Sequence, residues 1–306
     1  MTSRGSLLAE GRLGRTSKGE KQRLFALFGN PVGHSLSPLI HNAAYEAMNL
    51  SAHYLALAVP DGETTLHRMR EMGIEGASVT IPLKTAIMAC LDEIDDHSRA
   101  IGAVNTLWAK EGRVLGTNTD WVGFTRSLKD HFDLRGKTFA ILGSGGAARA
   151  AVFGIRREGG HPIVFSRNPE TGIALARDFH CPYRPLSDLE KVEAHCLVNT
   201  TPVGMSPNAA GIPVPPRTLS RFAWVMDMVY NPLQTRLLRE AEAAGCGVIT
   251  GLPMLVHQGA EQIRSWTGKE PPVGLMHRVA EEELLRRSAC RGDSRIAPTN
   301  DLGKRN

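Results

Sequence analysis

The stretch KTFAILGSGGAAR, residues 137–149, decides the fold. Its first six residues are mostly apolar and read as a buried strand. Gly143-Ser144-Gly145-Gly146 then forms a turn, and residues 147–158 continue as an amphipathic helix. In a strand–glycine turn–helix unit, Gly143 permits the tight turn and Gly145 lets the backbone approach a pyrophosphate. Small Ala148 stands where close helix packing wants the third glycine of the G-x-G-x-x-G/A pattern. The first helical N–H groups and the helix dipole would face an anion. A glycine-rich turn that binds nothing fits the same letters, so the flanking chain has to decide.

Outward from this turn the period repeats. A strand at 162–166 leads to a helix near 170–179, and further strands at 196–199, 224–229 and 247–249 alternate with a helix at 235–244. This alternation predicts a parallel sheet with helices on both faces. The end of the second strand bears on the ligand. A site for NAD usually carries an acid about 20 residues after the glycine turn, accepting hydrogen bonds from the ribose. Here Ser166-Arg167-Asn168 has no acid. An arginine between two neutral hydrogen-bonding groups suits a 2′-phosphate and favours NADP over NAD; a plain surface arginine is the alternative.

Towards the N-terminus, strands at 24–28, 54–59 and 77–81 alternate with helices at 37–48 and 61–72, a second parallel βαβαβ unit. The turn Gly29-Asn30-Pro31 is followed by His34-Ser35-Leu36-Ser37-Pro38. Ser37 before Pro38 reads as an N-cap with proline at N1. Ser35 has no such duty and is the better ligand candidate. Lys84 follows Pro82 and is expected at the start of a helix, where the dipole disfavours a cation. It is either a solvated lysine or a ligand group at a strand end. An acidic helix is expected around 91–100, then a hairpin of strands 104–109 and 113–117 that begins at Asn105. Asp120 reads as the cap of a helix over 121–131 that connects the two units. Helices at 254–266, bearing Gln258, and 273–287 close the chain.

Composition bounds the function. At 306 residues, 42% hydrophobic and 22% charged, the chain is globular and long enough for two α/β domains. The net charge of +5 is misleading. Residues 1–23 and 286–306 each hold six Lys/Arg against two acids, so the tails carry +8 and the segment between them −3. A folded nucleic-acid-binding face, which requires clustered Lys/Arg on the domain itself, is therefore not expected. Five scattered cysteines without C-x-x-C point to reduced thiols in a cytoplasmic protein, with neither a disulfide framework nor a metal site. No apolar run reaches membrane-spanning length, and residues 1–20 lack the apolar core of a secretory signal. Residues 1–23 and 288–306 are expected to be disordered tails.

Over residues 24–285 the chain resembles the shikimate dehydrogenase family. The resemblance rests on GNPVGHSLSPLIHN (29–42), SVTIPLK (78–84), AVNT (103–106), GTNTD (116–120), ILGSGGAARA (141–150), NTTPVGM (199–205), DMVY (227–230) and GLPMLVHQ (251–258), all in family order. It implies a two-domain α/β fold: a parallel or mixed αβ sandwich that binds substrate, over 24–120 and rejoined by helices in 253–287, and a Rossmann-type NADP domain over 121–252. The implied reaction is the reversible, NADP-linked reduction of 3-dehydroshikimate to shikimate in chorismate and aromatic amino acid biosynthesis.

Carried over by motif, the resemblance implies that Ser35 and Ser37 hold the substrate carboxylate. Thr80, Lys84, Asn105, Asp120 and Gln258 meet the ring hydroxyls, with Lys84 and Asp120 as the acid–base pair. Tyr230 also contacts substrate and, with Gly251, lines the cleft beside the nicotinamide. Gly143, Gly145, Gly146 and Ala147 form the phosphate turn, and Ser166, Arg167 and Asn168 the 2′-phosphate end. Two positions depart from the family. Ser78 stands where members with NVT carry asparagine, and Thr171 where many NADP users carry a second arginine four residues after the first. A quinate/shikimate dehydrogenase using NAD or NADP, and a non-catalytic ligand sensor, are the alternative readings. The enzyme is expected to be a monomer or homodimer acting on small molecules, with neither nucleic acid nor membrane as a partner.

Overall fold

The computed structural model describes residues 22–290. Two six-stranded sheets, each with its own core, divide them. The first is built from β1 (Arg23–Gly29), α1 (Ser37–Ala47), β2 (Ala52–Ala58), α2 (Gly62–Met72), β3 (Ile74–Val79), β4 (Glu93–Ile94), α3 (Asp96–Ile101), β5 (Thr106–Lys110) and β6 (Arg113–Thr117). Its order is β2-β1-β3-β5-β6-β4. The βαβαβ unit pairs in parallel, with β1 between β2 and β3. The β5–β6 hairpin then adds antiparallel to β3, so the sheet is mixed.

After α4 (Asp120–Lys129) come β7 (Thr138–Leu142), α5 (Gly146–Arg157), β8 (His161–Ser166), α6 (Pro169–Asp178), β9 (Tyr183–Pro185), β10 (Cys196–Asn199), β11 (Trp224–Asp227), α7 (Arg236–Ala243) and β12 (Gly247–Ile249). All pairs in this second sheet, order β12-β11-β10-β7-β8-β9, are parallel. The continuous apolar run of β7 is explained by burial on both sides. Phe139 and Ile141 face Phe124 of α4 and Val152 of α5, while Ala140 and Leu142 face Leu237 and Leu238 of α7.

The last two helices, α8 (Leu252–Thr267) and α9 (Val273–Ala289), return to the first sheet. Trp266 near the end of α8 donates from Nε1 to Leu107 O at 2.9 Å and stacks on Phe25 at 5.1 Å. Gly76 on β3 makes room for that indole, since a Cβ there would lie 2.5 Å from Nε1. Met254, at the other end of α8, is buried in the core of the second sheet. This one helix therefore ties both sheets together. A second tie is Arg149 of α5, which donates to Ile101 O at the end of α3 at 2.5 Å and pairs with Asp178 at 2.8 Å.

Three local expectations are corrected. The segment around 91–100 is not one helix. Asp92 accepts from Val114 N at 2.7 Å, which fastens it to the sheet edge, and β4 follows. The helix starts only where Asp95 accepts from Ser98 N at 2.8 Å, as an N-cap does. The helix expected after Lys84 is a single 3-10 turn, Ala86–Cys90. At the ends, Arg23 already belongs to β1 and α9 runs to Ala289. Of the two tails expected to be disordered, residues 1–21 and 291–306 lie outside the described residues.

Candidate active site

The carboxyl ends of the strands in both sheets open onto one cleft of about 510 Å³. From the first sheet, the turn after β3 contributes Thr80, Pro82 and Lys84. From the second come the turn after β7, the end of β8 and the loop after β10, with Gly143 to Ala147, Ser166 to Asn168 and Thr200 to Val203. Strand ends are where open α/β sheets collect ligands, because the helix N-termini converge there.

Lys84 and Asp120 meet at the rim. Lys84 Nζ donates to Asp120 Oδ2 at 2.5 Å, and their side chains are only 18% and 5% exposed. The other carboxylate oxygen accepts from Asn105 Nδ2 at 2.9 Å. Asp120 is therefore not the helix cap that its position suggested. The cap position of α4 is Thr119, whose side chain makes no capping bond, and the Asp120 amide is taken instead by Asn118 Oδ1 at 3.0 Å. With those tasks met elsewhere, the carboxylate turns to the lysine and the amide. Lys84, past the end of β3 and ahead of the 3-10 turn, avoids the unfavourable helix start.

Asn105 is buried at 2% exposure and its amide orientation is dictated by the backbone. Thr119 N–H, which can only donate, bonds to Asn105 Oδ1 at 2.7 Å, so the NH₂ must face Asp120. The same NH₂ reaches Gln258 Oε1 at 3.3 Å, bringing α8 to the site.

The two serines exchange their expected duties. The N-cap of α1 is Leu36, without a side-chain bond, and Ser37 is its first residue. Ser35 Oγ accepts from Ser37 N at 3.1 Å and donates to Ser37 Oγ at 3.2 Å. The free serine of the sequence reading is thus the one that satisfies the helix start. Tyr230 joins this pair. Burial raises its pKa, against hydrogen bonds with the Ser35 side chain and the Leu36 backbone. Tyr230 therefore groups with the serines rather than with the glycine turn.

On the second sheet, Gly143 adopts φ +118°, a conformation that favours glycine, and a Cβ there would lie 2.5 Å from Thr200 Oγ1. Gly145 faces open space with no atom within 4 Å of a Cβ. That is the clearance a pyrophosphate needs at the start of α5, where Gly146 and Ala147 present their amides. Of the next trio only Arg167 is uncommitted: it is exposed, and among the described residues its guanidinium makes no hydrogen bond or ion pair. Asn168 caps α6, accepting from Glu170 N at 2.9 Å, and Ser166 Oγ donates to Asn168 O. Thr171 Oγ1 is 2.8 Å from Ser144 Oγ and pins α6 to the glycine turn. Gly251 begins α8 pressed against Met228, whose carbonyl oxygen would lie 2.5 Å from a Cβ. Its need for glycine is steric, and it is not among the residues that line the cleft.

Ser35, Ser37, Asn105, Asp120, Gln258 and Tyr230 lie outside the lining of the 510 Å³ cleft, which Lys84 and Thr80 share. The predicted residues form two groups joined at Lys84. Several polar residues at the site escaped the sequence reading. Gln262 follows Gln258 by four positions, on the same face of α8, which was the available signal. Fully buried Asp227 accepts from Asn199 Nδ2 at 2.9 Å, Val229 N at 3.0 Å and Thr235 Oγ1 at 2.7 Å. Asn199 in turn accepts from Thr201 N and Oγ1 at 3.0 and 2.7 Å, so one carboxylate organises the cleft loop and the approach to Tyr230. Among the described residues no group of three His, Cys, Asp or Glu is placed to hold a metal, and no helix is long and apolar enough to cross a membrane.

A cationic donor beside a buried carboxylate, next to a dinucleotide-type turn, suits proton transfer coupled to a redox step. Comparison with known proteins points the same way. Residues 27–107 match the shikimate dehydrogenase substrate binding domain, and residues 251–281 the shikimate 5′-dehydrogenase C-terminal domain. The shikimate dehydrogenase (NADP(+)) of Moorella thermoacetica is 44% identical over 275 residues, covering 85% of this chain and 93% of that protein. Among solved structures, shikimate 5-dehydrogenase from Thermus thermophilus in complex with NADP(H) and shikimate superposes with a TM-score of 0.79 at 40% identity. The match covers 85% of this chain and 99% of that one. The Listeria monocytogenes enzyme in complex with shikimate and NAD gives a TM-score of 0.76 at 33% identity, with 84% and 96% covered.

Proposed function

The chain belongs to the shikimate dehydrogenase family and is an NADP-dependent oxidoreductase, and we propose that Lys84 and Asp120 are the acid–base pair through which it reversibly reduces 3-dehydroshikimate to shikimate. One observation carries this reading: Lys84 Nζ lies 2.5 Å from Asp120 Oδ2, shielded from solvent, at the rim of the cleft that contains the glycine turn.

NADP, when bound, supplies or takes up the hydride. The chain's residues do the rest. As a ketone is reduced, negative charge grows on its oxygen, and Lys84 stabilises that charge and delivers a proton to it. In the reverse direction neutral Lys84 takes the hydroxyl proton. Asp120 holds the lysine in place and accepts from a neighbouring hydroxyl of the ring. Asn105, Gln258 and Thr80 contact the remaining hydroxyls. Ser35, Ser37 and Tyr230 present neutral donors to the substrate carboxylate, and charge-assisted bonds of this kind are the stronger ones.

For the cofactor, Gly143, Gly145, Gly146 and Ala147 take the pyrophosphate and Arg167 the 2′-phosphate. Ser166 and Asn168 support that arginine through their own hydrogen bonds, and Gly251 contributes backbone beside the nicotinamide. Residues 24–120 with the helices in 253–287 form the substrate domain, and residues 121–252 the cofactor domain. The protein works in the cytoplasm on small molecules, as a monomer or homodimer, without nucleic acid or membrane partners.

The test is NADP reduction with shikimate, repeated with quinate and with NAD. Turnover with shikimate and NADP above the other combinations is expected. No turnover on either substrate by folded protein would assign the chain to the ligand sensors, and a preference for NAD of about tenfold or more would remove Arg167 from cofactor selection.

A further inference from the structure

Behind the substrate side of the site runs a line of buried polar groups to which neither the acid–base pair nor the cofactor gives a purpose. Tyr54 OH lies 2.5 Å from Ser78 Oγ, and Ser78 Oγ 2.7 Å from Gln262 Oε1. Gln262 Nε2 lies 3.0 Å from Thr106 Oγ1 and 3.3 Å from Asn105 O. Thr106 Oγ1 lies 2.8 Å from Asn105 Oδ1, and Asn105 Nδ2 2.9 Å from Asp120 Oδ1. Tyr54, Ser78, Asn105, Thr106 and Gln262 are all buried.

Two backbone groups fix the direction of every bond in this line. Asn105 O can only accept, so the amide end of Gln262 that faces it must be the NH₂, and its oxygen must face Ser78. Ser78 is then obliged to donate its single proton to Gln262. Its lone pair can only receive the proton of Tyr54. At the other end, Thr119 N–H occupies Asn105 Oδ1 and turns the Asn105 NH₂ to Asp120. Thr106, which receives from Gln262, is left to donate to Asn105 Oδ1. Thr106 Oγ1 also lies 3.2 Å from Thr119 Oγ1; with Thr106 donating to Asn105 Oδ1, each donor in the line points towards Asp120.

We propose that Tyr54, Ser78 and Gln262 are positioning residues: they form a one-directional hydrogen-bond relay that holds Asn105 against Asp120 and so sets the Lys84–Asp120 pair. Ser78, the departure from the family's NVT motif, is on this account not a donor to substrate. Its single proton goes to Gln262 while it accepts that of Tyr54. The line is costly to interrupt, because a broken member leaves a buried polar group without a partner.

The relay rests on the Lys84–Asp120 assignment, and the experiment separates the two. The loss of kcat in Lys84→Ala tests the assignment, whereas the ratio of the relay variants to wild type tests the relay. Gln262→Met keeps the volume and removes both amide ends. It is expected to lower kcat/KM for shikimate by about tenfold or more, with KM for NADP within about twofold of wild type. Gln262→Glu is the direct probe of direction. Protonated, its carboxyl group accepts from Ser78 and donates to Thr106; ionised, it can donate to neither Thr106 nor Asn105 O. His41 of α1 is the titratable group that faces Gln262, and the Gln262→Met variant, which keeps that histidine, is the control for it. The Gln262→Glu activity relative to wild type should rise as pH is lowered through the titration of the new carboxyl, while the Gln262→Met ratio stays flat.

Ser78→Ala and Tyr54→Phe give a second readout should the Gln262 variants not fold. Ser78→Ala strands both Gln262 Oε1 and the Tyr54 hydroxyl and should cost more kcat/KM than Tyr54→Phe, which removes only the terminal donor. Gln262→Met within about twofold of wild type would overturn the relay. So would flat and equal pH ratios for the two Gln262 variants, or Tyr54→Phe costing more than Ser78→Ala.

Discussion

Gly146, in the glycine turn of the second sheet, packs against the stem of Lys84 from the first: a Cβ at Gly146 would lie 3.2 Å from Lys84 Cβ and 3.5 Å from Lys84 Cδ. The phosphate turn and the proposed acid are thus direct neighbours across the cleft, and any group added at one is felt at the other.

Gly146→Ala should accordingly damage catalysis more than stability. Alanine is favourable in the first turn of a helix, but the methyl group must push the lysine or the turn by a few tenths of an ångström. A displacement on that scale is expected to lower kcat by about tenfold, since misplacement of about 1 Å is worth about 10²-fold. Steady-state kinetics beside thermal melting checks this. Wild-type kcat in a correctly folded variant would mean the contact is slack.

Arg167 is the only member of the Ser166-Arg167-Asn168 trio with its side chain free, because Asn168 caps α6 and Ser166 is bound to Asn168. Arg167→Ala is expected to raise KM for NADP by roughly 10- to 100-fold, the worth of one or two charge-assisted hydrogen bonds, and to leave KM for NAD unchanged. Kinetics with both cofactors decides the point; equal losses for NADP and NAD would place the arginine away from the 2′-phosphate.

Two buried groups give the stability a specific pH signature. Burial raises Asp227 from 3.8 to about 6, against hydrogen bonds from Thr235, Val229 and Asn199. For this raised acid the contribution to stability is fully present below pH 3.8 and is lost as pH rises through about 6. Burial lowers His41 from 6.5 to about 4, and its Nδ1 bonds to Ser37 O at 2.8 Å. For this depressed base the contribution is fully present above pH 6.5 and is lost as pH falls through about 4. Each shift corresponds to about 3 kcal/mol, and the two oppose each other over the same window. Asp227→Asn removes the contribution that opposes that of His41. Denaturant unfolding at a series of pH values should then show the variant losing stability more steeply than wild type on acidification, by about 3 kcal/mol across the window. Parallel profiles would show that Asp227 titrates in its ordinary range.

The second sheet was legible because its physics is local. β7 is apolar on both faces, the glycine turn follows at once, and β10 and β12 fall at the residues the pattern indicates. The first sheet was legible only in its parallel half. The hairpin itself reads from a tight turn, but its addition to β3 is a long-range pairing that no local pattern encodes. Roles at helix starts were the least legible. Ser, Asp and Asn cap helices and also bind ligands, so Ser37 and Asp120 looked like caps while Ser35 looked free. The structure reverses all three, since it alone shows Asn118 taking the Asp120 amide and Ser35 taking the Ser37 amide. The 36-residue separation of Lys84 from Asp120 likewise hides their contact. The motif resemblance, which registers residues without needing their contacts, supplied what spacing could not.

Lys84→Ala is the measurement that bears most directly on the central claim, with kcat and KM determined for shikimate and NADP in parallel with wild type. The proposed role predicts a fall in kcat of about 10²- to 10⁴-fold, the usual worth of a positioned general acid–base group, with a much smaller change in either KM. An unchanged kcat, or a loss confined to KM for shikimate, would contradict it and leave Lys84 as a binding residue outside the chemistry.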